Sequence, residues 1–326
     1  MTLRTGLYRL AMQHRLDAAA LRRLEQAAGL EREPAGLATI APRVVAAVAA
    51  ALGGFGLILW IAAQWDTLGR FGRFALLQAA VVAFCLAAWR PSAARPAFGL
   101  AAFLATGALF AHYGQTYQTG ADAWLLFALW TALCLPLAFS LRSDLLWAPW
   151  TLVAMTALAL WAQAHTGHRW RIERGDLPVH AIAALGALLL AAALSRPLQR
   201  FSGAGAIGLR VAATLAVVLI TVAALGGLFG ETIAPHYALG LVLLAVAAVL
   251  LAAPAAFDVY ALSAVALGLD ALIVGGLARL LLSNMHGEAI GPLLLLGLLA
   301  AGLVSASVSA VLRLARVHGA AAAGAP

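Results

Sequence analysis

The residues best equipped for chemistry lie together in one stretch, His112-Tyr-Gly-Gln-Thr-Tyr-Gln-Thr-Gly-Ala-Asp-Ala-Trp124. His112 can donate, accept or take up a proton. Gln115 and Gln118 offer donors and acceptors without charge, Tyr113 and Tyr117 add hydroxyls and ring faces, and Asp122 adds a carboxylate. Such a set suits a sugar, a peptide or an amide-bearing headgroup. The competing use of the same groups is a structural turn that satisfies its own backbone. Gly114 and Gly120 are expected to loosen the helix here. Non-helical backbone near a membrane is tolerated where protein or a water-filled cavity covers it.

Asp270 is the second candidate, the one acid in the interior of a long apolar run. A carboxylate at the bilayer centre costs about 2.5–3.5 kcal/mol on insertion scales and marks a polar path or a hydrogen-bonded join. Arg279 is nine residues on, a rotation of about 900° that sets it on the opposite face, so any partner of Asp270 comes from another helix. Histidines gather on one expected side: His112, His165, His168, His180, His236 and His286. His165 and His168 form a single short spacing with no second pair at helical register, so neither a metal site nor a cofactor is assigned. No zinc-protease, zinc-finger or nucleophile-elbow pattern occurs. The two cysteines, Cys85 and Cys134, fall in apolar runs and read as buried thiols rather than a disulfide or metal framework.

What must position these groups is a series of apolar runs that begins at Val44. A run of about 18 or more apolar residues is long enough, as a helix, to cross a bilayer. Of the 326 residues, 64% are hydrophobic and only 10% charged, against about 25% charged in soluble domains; a water-exposed surface for this much chain is not available. The pattern predicts an all-α, polytopic membrane protein with ten spans, at 44–63, 74–89, 96–113, 124–141, 145–164, 179–194, 211–229, 238–253, 259–281 and 293–312.

Orientation follows from arginine, because cytoplasmic loops hold the excess of basic residues. All 21 basic residues are arginine. With the N-terminus inside, fifteen fall on the cytoplasmic side and five, at 70, 73, 169, 171 and 174, on the outer side. Both termini are therefore expected in the cytoplasm. Trp65, Trp124 and Trp161 near outer ends, and Trp89, Trp147 and Trp150 near inner ends, are expected at headgroup level. The arginines do not form a basic stripe with aromatics, so nucleic acid is not an expected partner. No cleavable signal peptide is expected either, since the first residues are polar and helical.

Residues 1–43 read as a cytoplasmic helical hairpin and linker, 44–312 as the transmembrane domain and 313–326 as a short cytoplasmic tail. In the hairpin, Asp17 is the expected N-cap of the second helix and Gly29 its stop. The expected partners are the bilayer, a small-molecule or envelope substrate, and a cytoplasmic protein met through residues 1–33. Every tryptophan precedes Arg171, which divides the spans five and five, the arithmetic of an inverted repeat. A local repeat sets Gly56, Gln64 and Gly69 against Gly107, Gln115 and Gly120, as if two hairpins were parallel copies. Gly226 and Gly230, and the pair Gly275–Gly276, are expected to let helices approach closely.

The Gly-Gln-x-Tyr-Gln segment, followed by Trp124-Leu-Phe-type apolar sequence and preceded by the early Trp65-Asp-Thr-Leu-Gly69 turn, resembles the bacterial predicted membrane proteins grouped as domain of unknown function 2157. The resemblance covers residues 5–160 and implies a bacterial inner-membrane location. It brings no catalytic residues with it. Three classes of function stay open. A transporter or channel-like protein is favoured by span number and Asp270. A membrane enzyme acting on a lipid-linked or cell-envelope substrate would use His112, Gln115 and outer acids, and a sensory or assembly scaffold would depend on residues 1–33.

Overall fold

In hydrocarbon every backbone N–H and C=O must find a partner within the chain, which an α-helix provides inside a single segment. The computed structural model describes residues 3–14, 16–28, 37–63, 69–117, 122–167, 172–282 and 290–323. Among them are helices and no strand. They are α1 (Leu3–Gln13), α2 (Ala18–Ala27), α3 (Leu37–Ala63), α4 (Arg70–Trp89), α5 (Arg95–Tyr117), α6 (Ala123–Leu141), α7 (Asp144–Thr166), α8 (Leu177–Ala193), α9 (Gln199–Ser202), α10 (Ala206–Leu228), α11 (His236–Ala252), α12 (Val259–Leu282) and α13 (Ile290–Ala323). The class expected from hydropathy, a polytopic all-α membrane protein, is what the chain forms.

Asp17 caps α2 as expected, its Oδ1 accepting from Ala20 N–H at 2.7 Å. The expected stop at Gly29 lies outside the described residues. Each of the ten expected spans coincides with one of the helices α3–α8 and α10–α13. Among the described residues, eight helical segments are long and apolar enough to cross a membrane: α4–α7, Arg174–Ala193 including α8, α10, α12 and Ile290–His318 within α13. Helix α11 is apolar but has only 17 residues, about 26 Å at ~1.5 Å per residue. Helix α13 runs to Ala323 rather than stopping at 312. Arg313 and Arg316 end the apolar run without ending the helix, since arginine and alanine are good helix formers.

Two helices are central. Helix α5 packs against α3, α4, α6 and α7, and α10 packs against α7, α8, α11 and α12; α7 touches both and joins the two groups. The larger core gathers Phe103, Leu146, Trp147, Trp150, Met155 and Leu209. A second joins Val217, Ile220, Leu244, Val265 and Leu272.

The tryptophans correct one expectation. Trp147 and Trp150 are 2% and 5% exposed, so they belong to the core and not to a headgroup belt. Their indole N–H groups explain why burial is tolerated. Trp147 Nε1 donates to Ser202 O at 3.0 Å, Trp150 Nε1 to Thr131 O at 2.9 Å, and Trp130 Nε1 to Phe103 O at 3.0 Å. Each is a long-range tie between elements. Trp89, by contrast, is exposed.

Close helix approach in lipid rests on small residues, but not on all those the sequence suggests. A Cβ built on Gly275 would lie 2.7 Å from Leu225 Cδ2, and one on Gly276 2.3 Å from the Tyr237 hydroxyl. That hydroxyl donates to Leu272 O at 3.0 Å. Gly226 instead receives Ile172, 2.6 Å from its built Cβ, and Gly230 lies beyond the end of α10; the Gly226–Gly230 pair is not a helix-crossing motif. The local repeat also divides. Gly107 is pressed against the Trp130 indole, whereas Gly56 meets nothing within 4 Å, and Gln64 and Gly120 lie outside the described residues. Cys134 is buried, but Cys85 is exposed on α4, so only one thiol is inside.

Candidate functional site

Helix α7 carries Met155, Thr156, Ala159, Ala162, Gln163 and Thr166 on one face, at spacings of three and four that stack on a helix. Helix α10 offers a facing row of Leu215, Val218, Leu219, Val222, Ala223 and Gly226. Between them, closed on one side by His180 of α8, is a cleft of about 530 Å³. That is within the usual ~300–1,000 Å³ of small-molecule sites. Its walls are mostly aliphatic. Gln163, Thr166 and His180 are polar, and all three sit at the end of the bundle that carries Gly167. The hydroxyls of Thr156 and Thr166 donate to their own helix, to Leu152 O at 2.8 Å and Gln163 O at 3.3 Å, so toward the cleft they act as acceptors. Ile172, seated on Gly226, covers the same end.

At this polar end two histidines meet. The rings of His180 and His236 lie 5.0 Å apart, centroid to centroid, and close to perpendicular. His180 Nδ1 is 3.2 Å from Asp176 O. His236 opens α11 and is 2% exposed. Gly227 of α10 lets it in so far, since a Cβ there would be 2.8 Å from the His236 Cβ. Among the described residues neither ring nitrogen of His236 makes a hydrogen bond of good geometry, although the backbone of Asp176 stands near its ring. Beside the pair is a recess of about 10 Å³, which shares His180, Leu219 and Ala223 with the cleft. Among the described residues no group of three or more His, Cys, Asp or Glu is arranged to hold a metal ion.

Helix α10, the far wall of the cleft, is held at both ends by charges from its neighbours. Asp144, in the first turn of α7, accepts from the N–H groups of Gly205 at 2.6 Å, Ile207 at 2.9 Å and Gly208 at 3.1 Å. At the other end Arg279 Nη1 of α12 donates to Leu228 O and, at 2.9 Å, to Gly230 O. An acid at the N-terminus and a base at the C-terminus both complement the helix macrodipole. Together they also satisfy backbone groups that a helix leaves unpaired.

The segment singled out from sequence is placed differently from expectation in one respect. Helix α5 continues through Tyr117, so Gly114 does not loosen it; its built Cβ would sit 3.5 Å from Leu126, an ordinary packing distance. His112 is 4% exposed and packs on Phe74 of α4, with ring centroids 4.6 Å apart. Phe74 also meets Tyr117 at 5.8 Å, and Tyr113 and Tyr117 lie 4.9 Å apart. The Thr116 hydroxyl is 3.4 Å from His112 Nδ1. Gln115 is exposed, and two residues from either tyrosine it points to another side of the helix. Asp122 is exposed and accepts from Trp124 Nε1 at 3.3 Å. Gln118 lies outside the described residues.

Asp270 is 6% exposed and has its partner on another helix: Ser307 Oγ of α13 donates to Asp270 Oδ2 at 2.6 Å. Arg279 reaches α10 instead, as the opposite-face geometry requires. A second buried acid escaped sequence reading. Asp258 caps α12 by accepting from Ala261 N–H at 3.0 Å, and its other oxygen lies 3.7 Å from Arg210. Also missed were the cleft face of α7, legible as small and polar residues at Thr156, Ala159, Gln163 and Thr166, and the meeting of His180 with His236.

These features define a polytopic helical membrane protein with a side cleft. Residues 8–147 match the family model described as predicted membrane protein (DUF2157), the family that the Gly-Gln-x-Tyr-Gln segment resembles. The match ends in the first turn of α7, so the cleft lies beyond it. No curated protein and no solved structure matches the chain.

Proposed function

We propose that this protein holds a lipid-type amphiphile in the cleft between α7, α8 and α10, as the binding step of a transport-like function. The observation that carries this reading is the distribution of groups in the cleft: aliphatic along its length except for Thr156, and with its polar groups gathered at one end, the pattern of a chain and its headgroup. Val218 and Val222, which line it, are also exposed on the flank of the bundle, so the cleft is open to the side from which a lipid would enter. Filling it tests the reading. Ala159→Trp on α7 should strip most of the lipid that copurifies with the protein, read by native mass spectrometry, while the thermal midpoint changes little. Val222→Trp fills the opposite wall and should do the same. A lipid complement equal to the parent's in both variants removes the cleft from consideration.

The orientation that accompanies this reading puts both termini in the cytoplasm of a bacterial inner membrane, with α1 and α2 available to a cytoplasmic partner and the polar end of the cleft at the outer face. The arginine bias supports it. Reporter fusions after residues 43, 205 and 326 should then give cytoplasmic signals, and those after 118 and 234 external ones. An external signal at 326 means an odd number of spans and overturns the assignment of the second half. In this orientation Tyr113, Gln115, Tyr117 and Asp122 form a further outward polar surface above the buried His112, and Asp270 a polar join between α12 and α13.

A further inference from the structure

Resting on the cleft reading, we infer that the ligand's head is uncharged and bears a hydroxyl, which enters the recess between His180 and His236. Three observations converge on it. First, His236 is 2% exposed, yet among the described residues neither ring nitrogen has a hydrogen-bond partner of good geometry. Buried polar groups without partners are rare, and each calls for a group that completes it. A neutral imidazole has one donor and one acceptor nitrogen, directed to different sides of the ring; a hydroxyl in the recess completes one of them, accepting from the N–H or donating to the bare nitrogen.

Second, the recess has the size of one such oxygen. About 10 Å³ is the space of roughly one water-sized probe, and a phosphate with its tetrahedron of oxygens does not fit. Third, the described charged groups nearby do not favour an anion. Arg174 is turned to Ile233 O at 3.4 Å and Arg279 to the end of α10, while the acid Asp176 stands beside His180. The groups that line the polar end of the cleft, Gln163, Thr166 and His180, are amide, hydroxyl and imidazole. They match the hydroxyls of a glycerol or sugar head, with the acyl chain lying along Leu215, Val218 and Val222.

The test uses the full-length protein purified in detergent and three photoactivatable probes sharing one diazirine-bearing acyl chain. One is a monoacylglycerol, one its counterpart with both hydroxyls methylated, and one a lysophosphatidic acid. Crosslinks are mapped to residues 155–166 and 215–226 by mass spectrometry. The monoacylglycerol should label the cleft about 5-fold or more above the methylated probe, the effect of losing one buried hydrogen bond. His236→Leu should abolish that preference. His236→Gln, which restores a donor and an acceptor, should recover part of it, and this rescue separates recognition from a loss of fold. If no probe labels the cleft, the cleft reading itself fails. If all three label it alike, or if His236→Leu keeps the preference, the cleft stands and the recess holds only water, which overturns the headgroup inference. Strongest labelling by the phosphate-headed probe overturns it as well.

Discussion

Asp144→Ala is expected to destabilise the protein by about 2–4 kcal/mol, more than any other single change of a polar side chain at that end of the bundle. The carboxylate accepts three backbone N–H bonds at the start of α10, from Gly205, Ile207 and Gly208. A lost N-cap costs about 0.5–2 kcal/mol, and a hydrogen bond to a charged group contributes about 1.5–3 kcal/mol, with the sum less than additive. The site has little room for repair. A Cβ on Gly205 would lie 2.3 Å from Asp144 Oδ2, so backbone and carboxylate are already at closest approach. Asp144→Asn keeps one acceptor oxygen and should recover part of the loss. Ser143 supplies the internal comparison: its Oγ accepts from Leu145 N–H at 3.3 Å and caps α7 itself, so Ser143→Ala should cost about 1 kcal/mol or less. Thermal unfolding in detergent, followed through the emission of the neighbouring buried tryptophans, orders the three variants. An Asp144→Ala protein no less stable than Ser143→Ala would show that the α7–α10 cap contributes nothing of its own.

That cap also marks the boundary between what the sequence discloses and what it does not. Hydropathy locates the spans because burial in lipid acts on every residue of a run at once, and Asp17 is legible because its cap is made three residues away. Ser143-Asp144 reads as the start of α7 and nothing more, since a bond to Gly205, sixty-one residues on, depends on how two helices pack. Trp147 and Trp150 mislead for the same reason. An indole near a span end satisfies its N–H either from headgroups and water or from a backbone carbonyl of another segment, and only the packed structure decides for Ser202 O and Thr131 O. Asp270 is an intermediate case. Its rotation relative to Arg279 excludes an intrahelical pair, but the identity of Ser307 follows from the way α13 lies on α12. The cleft is the least legible feature, because its walls are ordinary aliphatic residues and its histidines are fifty-six positions apart.

Arg279→Met should act at the opposite end of α10, with a cost of about 2–3 kcal/mol and a local signature. Methionine retains an apolar stem of similar reach but removes the guanidinium that donates to Leu228 O and Gly230 O. Those two carbonyls close the C-terminus of α10, where its unpaired backbone acceptors and the negative end of its dipole coincide. Leaving such part-buried acceptors without donors costs up to about 1–3 kcal/mol each, again less than additively. The last turn of α10 carries Gly226 and Gly227, which seat Ile172 and His236. Loosening that turn therefore opens the polar end of the cleft first. Hydrogen exchange should rise across 226–236 while the middle of α10, around Ala212–Ile220, keeps its protection, because local opening draws on local contacts. Arg279→Lys keeps the charge but loses the planar fork of donors, and should fall between parent and methionine variant. Asp144→Ala should give the mirror pattern, with exchange rising at 205–210. If Arg279→Met leaves exchange at 226–236 unchanged, the guanidinium does not hold that end of α10, and the coupling between the arginine and the histidine recess is lost with it.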